Sequence, residues 1–267
     1  MSETTTFQTI AEVIGSKTPP KLSNWWETFF RPDLFLPGEQ EHMDEAPGEV
    51  RFMRKALNLG KGSKVLDLCC GVGRHSILLA QQGSAVTGLD GMPSYLRIAR
   101  ERADRASVEV RWVQSDMRKV TYRAEFDAVI CAWTSFGYFP SFPDDQRVLK
   151  QITRSLKKGG LFFLDVINGS WVQKNSKEKD WRRQRDGYIL EQIELRNGKD
   201  PALVTNWTFI QPGRPIREGL SFVRLYDKAR ATSALKSAGM TPVKFFGGYK
   251  GEAYTEDSKR LIVVAKA

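Results

Sequence analysis

The sequence predicts an α/β fold built on a doubly wound, mostly parallel sheet. Three observations carry that expectation. Between Lys64 and Ile167, apolar runs of strand length alternate with segments of helical period. The first three runs lead into carboxylates, Asp67, Asp90 and Asp116. After a stretch of different pattern, the chain closes with one helix and two more strand-like runs.

The elements follow in order. Residues 1–48 are irregular, with the aromatic cluster Trp25, Trp26, Phe29 and Phe30 and prolines at 32, 37 and 47. Residues 49–59 place Val50, Met53, Ala56 and Leu57 on one helical face, and Gly60 and Gly62 end that helix. Lys64–Leu68 reads as a strand and Ser76–Gln82 as a helix stopped by Gly83. Ala85–Leu89 and Val108–Gln114 are strands flanking a helix over Pro93–Ala106. Phe126–Ala132 is the fourth strand, and Asp144–Leu156 is an amphipathic helix. Lys157-Lys158-Gly159-Gly160 then reads as a basic helix end with a glycine stop. Leu161–Ile167, largely apolar, fits a buried parallel strand. From 168 to 226 the pattern alternates as antiparallel strands do, over Gly187–Leu195, Ala202–Ile210 and Gly219–Tyr226. A helix over Asp227–Ala238 and strands over Thr241–Phe246 and Arg260–Ala265 finish the chain. The expected organisation is one domain over 1–267, with an N-terminal cap (1–48) and an inserted antiparallel lid (168–226).

Composition narrows the function classes. The 267 residues are 41% hydrophobic and 27% charged, as in soluble globular proteins. No apolar run reaches membrane-span length, and the first residues lack the basic and apolar parts of an export signal. Three cysteines, two of them adjacent, make no disulfide framework. The expected location is the cytoplasm. The net charge of +10 leaves nucleic acid as a minority reading, because the basic residues are interleaved with acidic ones rather than gathered in a block.

The most informative stretch is Val65-Leu66-Asp67-Leu68-Cys69-Cys70-Gly71-Val72-Gly73. A strand ends in a carboxylate, and a loop of small residues leads into a helix. Gly71-x-Gly73-x-x-Ser76 nearly fits a dinucleotide-binding turn, with Asp90 at about the 20-residue distance of a ribose carboxylate. Asp67 within the strand end and the closing hairpin count against a nicotinamide enzyme. With Val86–Asp90, Gln114-Ser115-Asp116-Met117, Phe126–Cys131 and Leu156–Leu161 in order, the chain resembles class I S-adenosylmethionine-dependent methyltransferases. It is most similar to small-molecule enzymes with a lid sheet between the fifth strand and the last helix. The resemblance implies a Rossmann-like sheet of seven strands ending in an antiparallel hairpin.

It also implies site residues. Asp67, Cys69, Gly71, Gly73, Asp90, Gly91, Met92, Asp116, Met117 and Trp133 would surround S-adenosylmethionine and its product S-adenosylhomocysteine. Asp67 would face the amino group of the methionine part, and Asp90 the ribose hydroxyls. Asp116 would face the adenine amine, with Met117 N–H on a ring nitrogen and Met92 over the base. Gly71 and Gly73 would let the backbone approach the cofactor. Cys69 stands where the family carries its first glycine. Trp25, Trp26, Phe136, Tyr138 and Tyr226 are the expected substrate-side residues, and Trp133, Tyr138 and His42 the catalytic candidates. His75 and Cys131 read as packed residues, Asp127 as structural, and no metal site is expected. The expected activity is methyl transfer to nitrogen or oxygen of a small molecule by a monomer or homodimer. An RNA or protein methyltransferase and a non-catalytic cofactor-binding regulator are the alternatives.

Overall fold

The computed structural model describes residues 24–34, 40–184 and 187–267. Two sheets organise them. The larger has seven strands: β1 (Lys64–Leu68), β2 (Ala85–Asp90), β3 (Arg111–Gln114), β4 (Phe126–Cys131), β5 (Leu156–Ile167), β10 (Thr241–Phe246) and β11 (Arg260–Lys266). Their spatial order is β10-β11-β5-β4-β1-β2-β3. β1 pairs in parallel with both β2 and β4, while β11 runs antiparallel between β5 and β10. The order reverses at β1, so the crevice beyond the carboxyl ends of β1 and β4 is where such sheets hold ligands.

Helices cover this sheet: α2 (Gln40–Ala56), α3 (Arg74–Gln81), α4 (Pro93–Arg105), α5 (Phe142–Ser155) and α7 (Lys228–Ser237). Val50, Met53, Ala56 and Leu57 all enter one core layer with Val65, Leu79 and Ile130, as their spacing predicts. The other layer packs Val148, Leu149 and Ile152 of α5 against Val129, Phe162 and Val263.

The smaller sheet is antiparallel: β6 (Lys179–Gln184), β7 (Gly187–Arg196), β8 (Ala202–Ile210) and β9 (Arg217–Arg224). The chain departs from the main sheet at Asn168 and returns at Tyr226, and these two residues form a bridge. The short helix α1 (Trp25–Phe29) packs on this sheet, with Trp25 and Phe29 in its core beside Val204, Leu220 and Phe222.

Three features differ from expectation. β5 begins at Leu156, not at Leu161, because Leu156 pairs with Phe126 and Gly159 and Gly160 bond to Ala267 at the chain's end. Lys157 does not finish a helix; its ammonium lies 2.6 Å from Asp127, which also accepts from Lys64 N–H. The basic run at 181–184 is an edge strand, and α6 (Gly169–Asn175) was not legible at all.

Candidate functional site

A cavity of about 450 Å³ opens beyond the strand ends of the main sheet. Its floor comes from the loops after β1 to β4, and its walls from α1 and one face of the small sheet.

Asp67 is buried at the end of β1 and accepts a 2.6 Å hydrogen bond from Ser76 Oγ in the first turn of α3. Burial pushes its carboxyl up. Asp90 ends β2. One oxygen accepts from Gly71 N–H and the other from Met92 N–H, each at 2.8 Å. Burial pushes this carboxyl up to about 6 against the pull of those N–H groups. The carboxylate thus ties the small-residue loop after β1 to the start of α4.

That loop is strained at Cys69, whose φ is +61°. Cys69 lines the cavity in the position the family fills with glycine. Gly73 needs no side chain for a different reason than expected. A Cβ there would lie 2.6 Å from Trp112 Cη2, and φ is +78°. Gly73 therefore permits close packing of α3 on β3 and does not line the cavity.

Asp116 and Met117 follow β3 and line the floor. Asp116 also caps a single 3₁₀ turn, and Arg118 binds both of its oxygens. Burial acts to raise this carboxyl, but the Arg118 guanidinium more than offsets it and holds it below the usual range. The cap reading of Asp116 therefore coexists with its place in the cavity.

Trp133 and Thr134 both have positive φ, +58° and +60°. Asp165 holds this turn by accepting from Trp133 N–H at 2.8 Å, and Arg260 and Tyr249 bind the same carboxylate. Trp133 Nε1 donates to Glu49 at 2.7 Å, and the Arg74 guanidinium lies 4.5 Å from its ring. Its one polar side-chain atom is committed, so Trp133 shapes the wall and moves no proton.

Glu49 is the hub that sequence reasoning missed. It is buried, and besides Trp133 it binds Arg74 at 2.8 Å and His75 at 2.6 Å. Burial opposes its charge, yet His75, Arg74 and Trp133 together hold its carboxyl below the usual range. The available signal was Arg74-His75 at the buried start of a helix, two basic residues that need a carboxylate.

Tyr138 faces the cavity, and its carbonyl accepts from Trp25 Nε1 at 2.9 Å. Burial pushes its phenol far up, so it stays a neutral hydroxyl at ordinary pH. Trp25, Trp26, Gly71, Gly91 and Met92 line the cavity too. Phe136 and Tyr226 do not. Phe136 is buried against Tyr226, ring centroids 5.2 Å apart, and Tyr226 OH donates to Asp145. Both are core residues, a correction to their expected substrate role. The side chain of His42 lies outside the described residues. The small sheet's wall, formed by Glu191, Leu203, Thr205, Trp207, Ser221 and Val223, was not foreseen. Among the described residues, no cluster of three or more potential ligands could hold a metal.

Residues 65–160 match the family model described as a methyltransferase domain. The chain carries a class I, S-adenosylmethionine-dependent methyltransferase domain. Cypemycin N-terminal methyltransferase from Streptomyces sp is 27% identical over 216 residues, which is 76% of this chain and 82% of that protein. Glycine/sarcosine N-methyltransferase from Aphanothece halophytica is 35% identical over 143 residues, so this chain spans about half the length (54%) of that relative. An S-adenosylmethionine-dependent methyltransferase from Clostridium acetobutylicum ATCC 824 superposes with a TM-score of 0.73 and 15% identity. That match covers 98% of both chains and speaks to the fold.

The methyltransferase cavity fits its cofactor chemically. Three carboxylates, Asp67, Asp90 and Asp116, border it, as suits a ligand with a sulfonium and an ammonium. Arg74 and Arg260 also line it, and they supply cations for a carboxylate. Its volume lies within the roughly 300–1,000 Å³ of small-ligand sites.

Proposed function

We propose that the chain moves a methyl group to a nitrogen or oxygen of a small-molecule acceptor. One observation carries this reading. A single cavity joins the acidic strand ends of the main sheet to the aromatic face of the small sheet, so both reactants share one enclosed space. The reading also assigns residues 1–267 to one domain in which 1–48 is a cap and 168–226 a lid.

S-adenosylmethionine supplies a sulfonium methyl that an incoming lone pair displaces directly. The chain's residues bind, orient and exclude water. Asp90 accepts hydrogen bonds from the ribose hydroxyls, and Asp67 faces the amino group. Asp116 and the Met117 N–H read the adenine edge, with Met92 over the base. Arg74 and Arg260 face the carboxylate. Trp133, held by Glu49 and Asp165, fixes the wall where the methyl is presented. Trp25, Trp26 and Tyr138 close over the acceptor. Holding the reactants in line can lower the barrier by roughly 7–11 kcal/mol. The names of the two relatives, an N-terminal and a glycine/sarcosine N-methyltransferase, lend weight to nitrogen. Among the described residues no helix is long and apolar enough to cross a membrane.

The test is incubation of the protein and methyl-labelled S-adenosylmethionine with a metabolite extract, read by mass spectrometry. Label is expected in a small molecule. Label found only in RNA or protein, or in nothing, would contradict the reading.

A further inference from the structure

The small sheet meets the cavity through one face. Leu203, Thr205 and Trp207 of β8 line it, with Ser221 and Val223 of β9. Glu191 of β7 lies directly opposite Trp207 in the strand register. Among the described cavity-lining residues from this sheet, Glu191 alone is charged. Its side chain is 14% exposed.

A carboxylate in such a wall needs positive partners, because a poorly hydrated charge is costly unless paired. Arg182 of β6 pairs with Glu191 Oε1 and lies 5.2 Å over the Trp207 ring. This corner thus already holds one cation between a carboxylate and an indole face. Arg182 is about half exposed, so solvent weakens its hold. A carboxylate has two oxygens and accepts several donors, so an ammonium can approach from the cavity while Arg182 approaches from outside.

We infer that Glu191 is the specificity-determining residue for the acceptor, and that it selects molecules carrying a protonated amine beside an apolar or aromatic body. This inference rests on the methyltransferase reading and narrows its acceptor class. A neutral hydroxyl in the same place offers one donor and no charge. An ammonium offers three donors, a charge for Glu191 and a cation for the rings of Trp207 and Tyr138. Glu191 acts in recognition; it is not the group that reacts.

The experiment uses the full chain saturated with S-adenosylhomocysteine. Matched amine and alcohol probes (tryptamine against tryptophol, 2-phenylethylamine against 2-phenylethanol) are titrated by calorimetry at low salt. Wild type is expected to prefer each amine by about tenfold or more, the range of one charge-assisted hydrogen bond. Glu191→Gln should remove that preference, and Glu191→Asp should keep part of it. Thermal melting and S-adenosylhomocysteine affinity serve as controls for folding. Equal binding of amines and alcohols, no amine binding at millimolar concentration, or a preference that survives E191Q would overturn the inference. Failure to bind S-adenosylhomocysteine would instead strike the methyltransferase reading, so the two failures are distinct.

Discussion

Gly73→Ala should cost far more than a surface substitution, and for a reason separable from cofactor binding. The added Cβ would sit 2.6 Å from Trp112 Cη2 and 3.1 Å from Ala99 Cβ, where carbon atoms prefer roughly 3.5–4.0 Å. About 1 Å of movement is needed between α3 and β3, and overpacking of that kind costs roughly 1–3 kcal/mol. The backbone at φ +78° adds about 1–2 kcal/mol for an L side chain. The total, about 2–5 kcal/mol, is a large part of a typical stability of roughly 5–15 kcal/mol. Urea unfolding at 25 °C measures it. Trp112→Ala in the same background should recover the overpacking part, leaving a favourable coupling of about 1–3 kcal/mol in the double-mutant cycle. Strict additivity would refute the claim that Trp112 is what Gly73 accommodates. So would an alanine variant of wild-type stability with weakened cofactor affinity.

The remaining predictions concern the buried charges. S-adenosylhomocysteine affinity should fall about tenfold between pH 7.5 and 5, because Asp90, with its carboxyl near 6, must be ionised to accept from the ribose; calorimetry across that range with no loss of affinity would contradict it. Glu49→Ala should destabilise by about 3–5 kcal/mol, since it leaves the Arg74 guanidinium buried without this partner; a melting temperature within a degree or two of wild type would refute the hub. Asp145, buried with Arg224 and Tyr226 on one oxygen, has its carboxyl raised to about 6 mainly by burial. A raised native value stabilises the protonated native state, so this contribution is full below about pH 4 and is lost as pH rises through 6. Between pH 5 and 7.5 wild type should lose about 1–1.5 kcal/mol more than Asp145→Asn in urea unfolding; parallel pH profiles would sink it.

The main sheet was legible because its strands are short apolar runs and its helices carry clear periodicity. The floor of the cavity was legible too, because a strand-ending carboxylate recurs at Asp67, Asp90 and Asp116. What escaped was set by partners distant in sequence. Glu49 opens an amphipathic helix and reads as a solvated face until Arg74, His75 and Trp133 converge on it. Lys157 reads as a helix end until Asp127 and the terminal Ala267 draw its segment into β5. Phe136 and Tyr226 sit in an aromatic run and at a lid boundary, as pocket residues do, but their contact with each other and with Asp145 turns them into the core. The small sheet's inner wall was hidden because alternation along a strand says that one face is covered without saying by what.

The central claim is that the acidic strand ends hold S-adenosylmethionine. Calorimetric titration of S-adenosylmethionine into wild type and Asp90→Ala tests it most directly. Saturable one-to-one binding to wild type, lost in the alanine variant while that variant still melts cooperatively, is the predicted result. Equal affinity in the two proteins, or no binding to wild type, would contradict it.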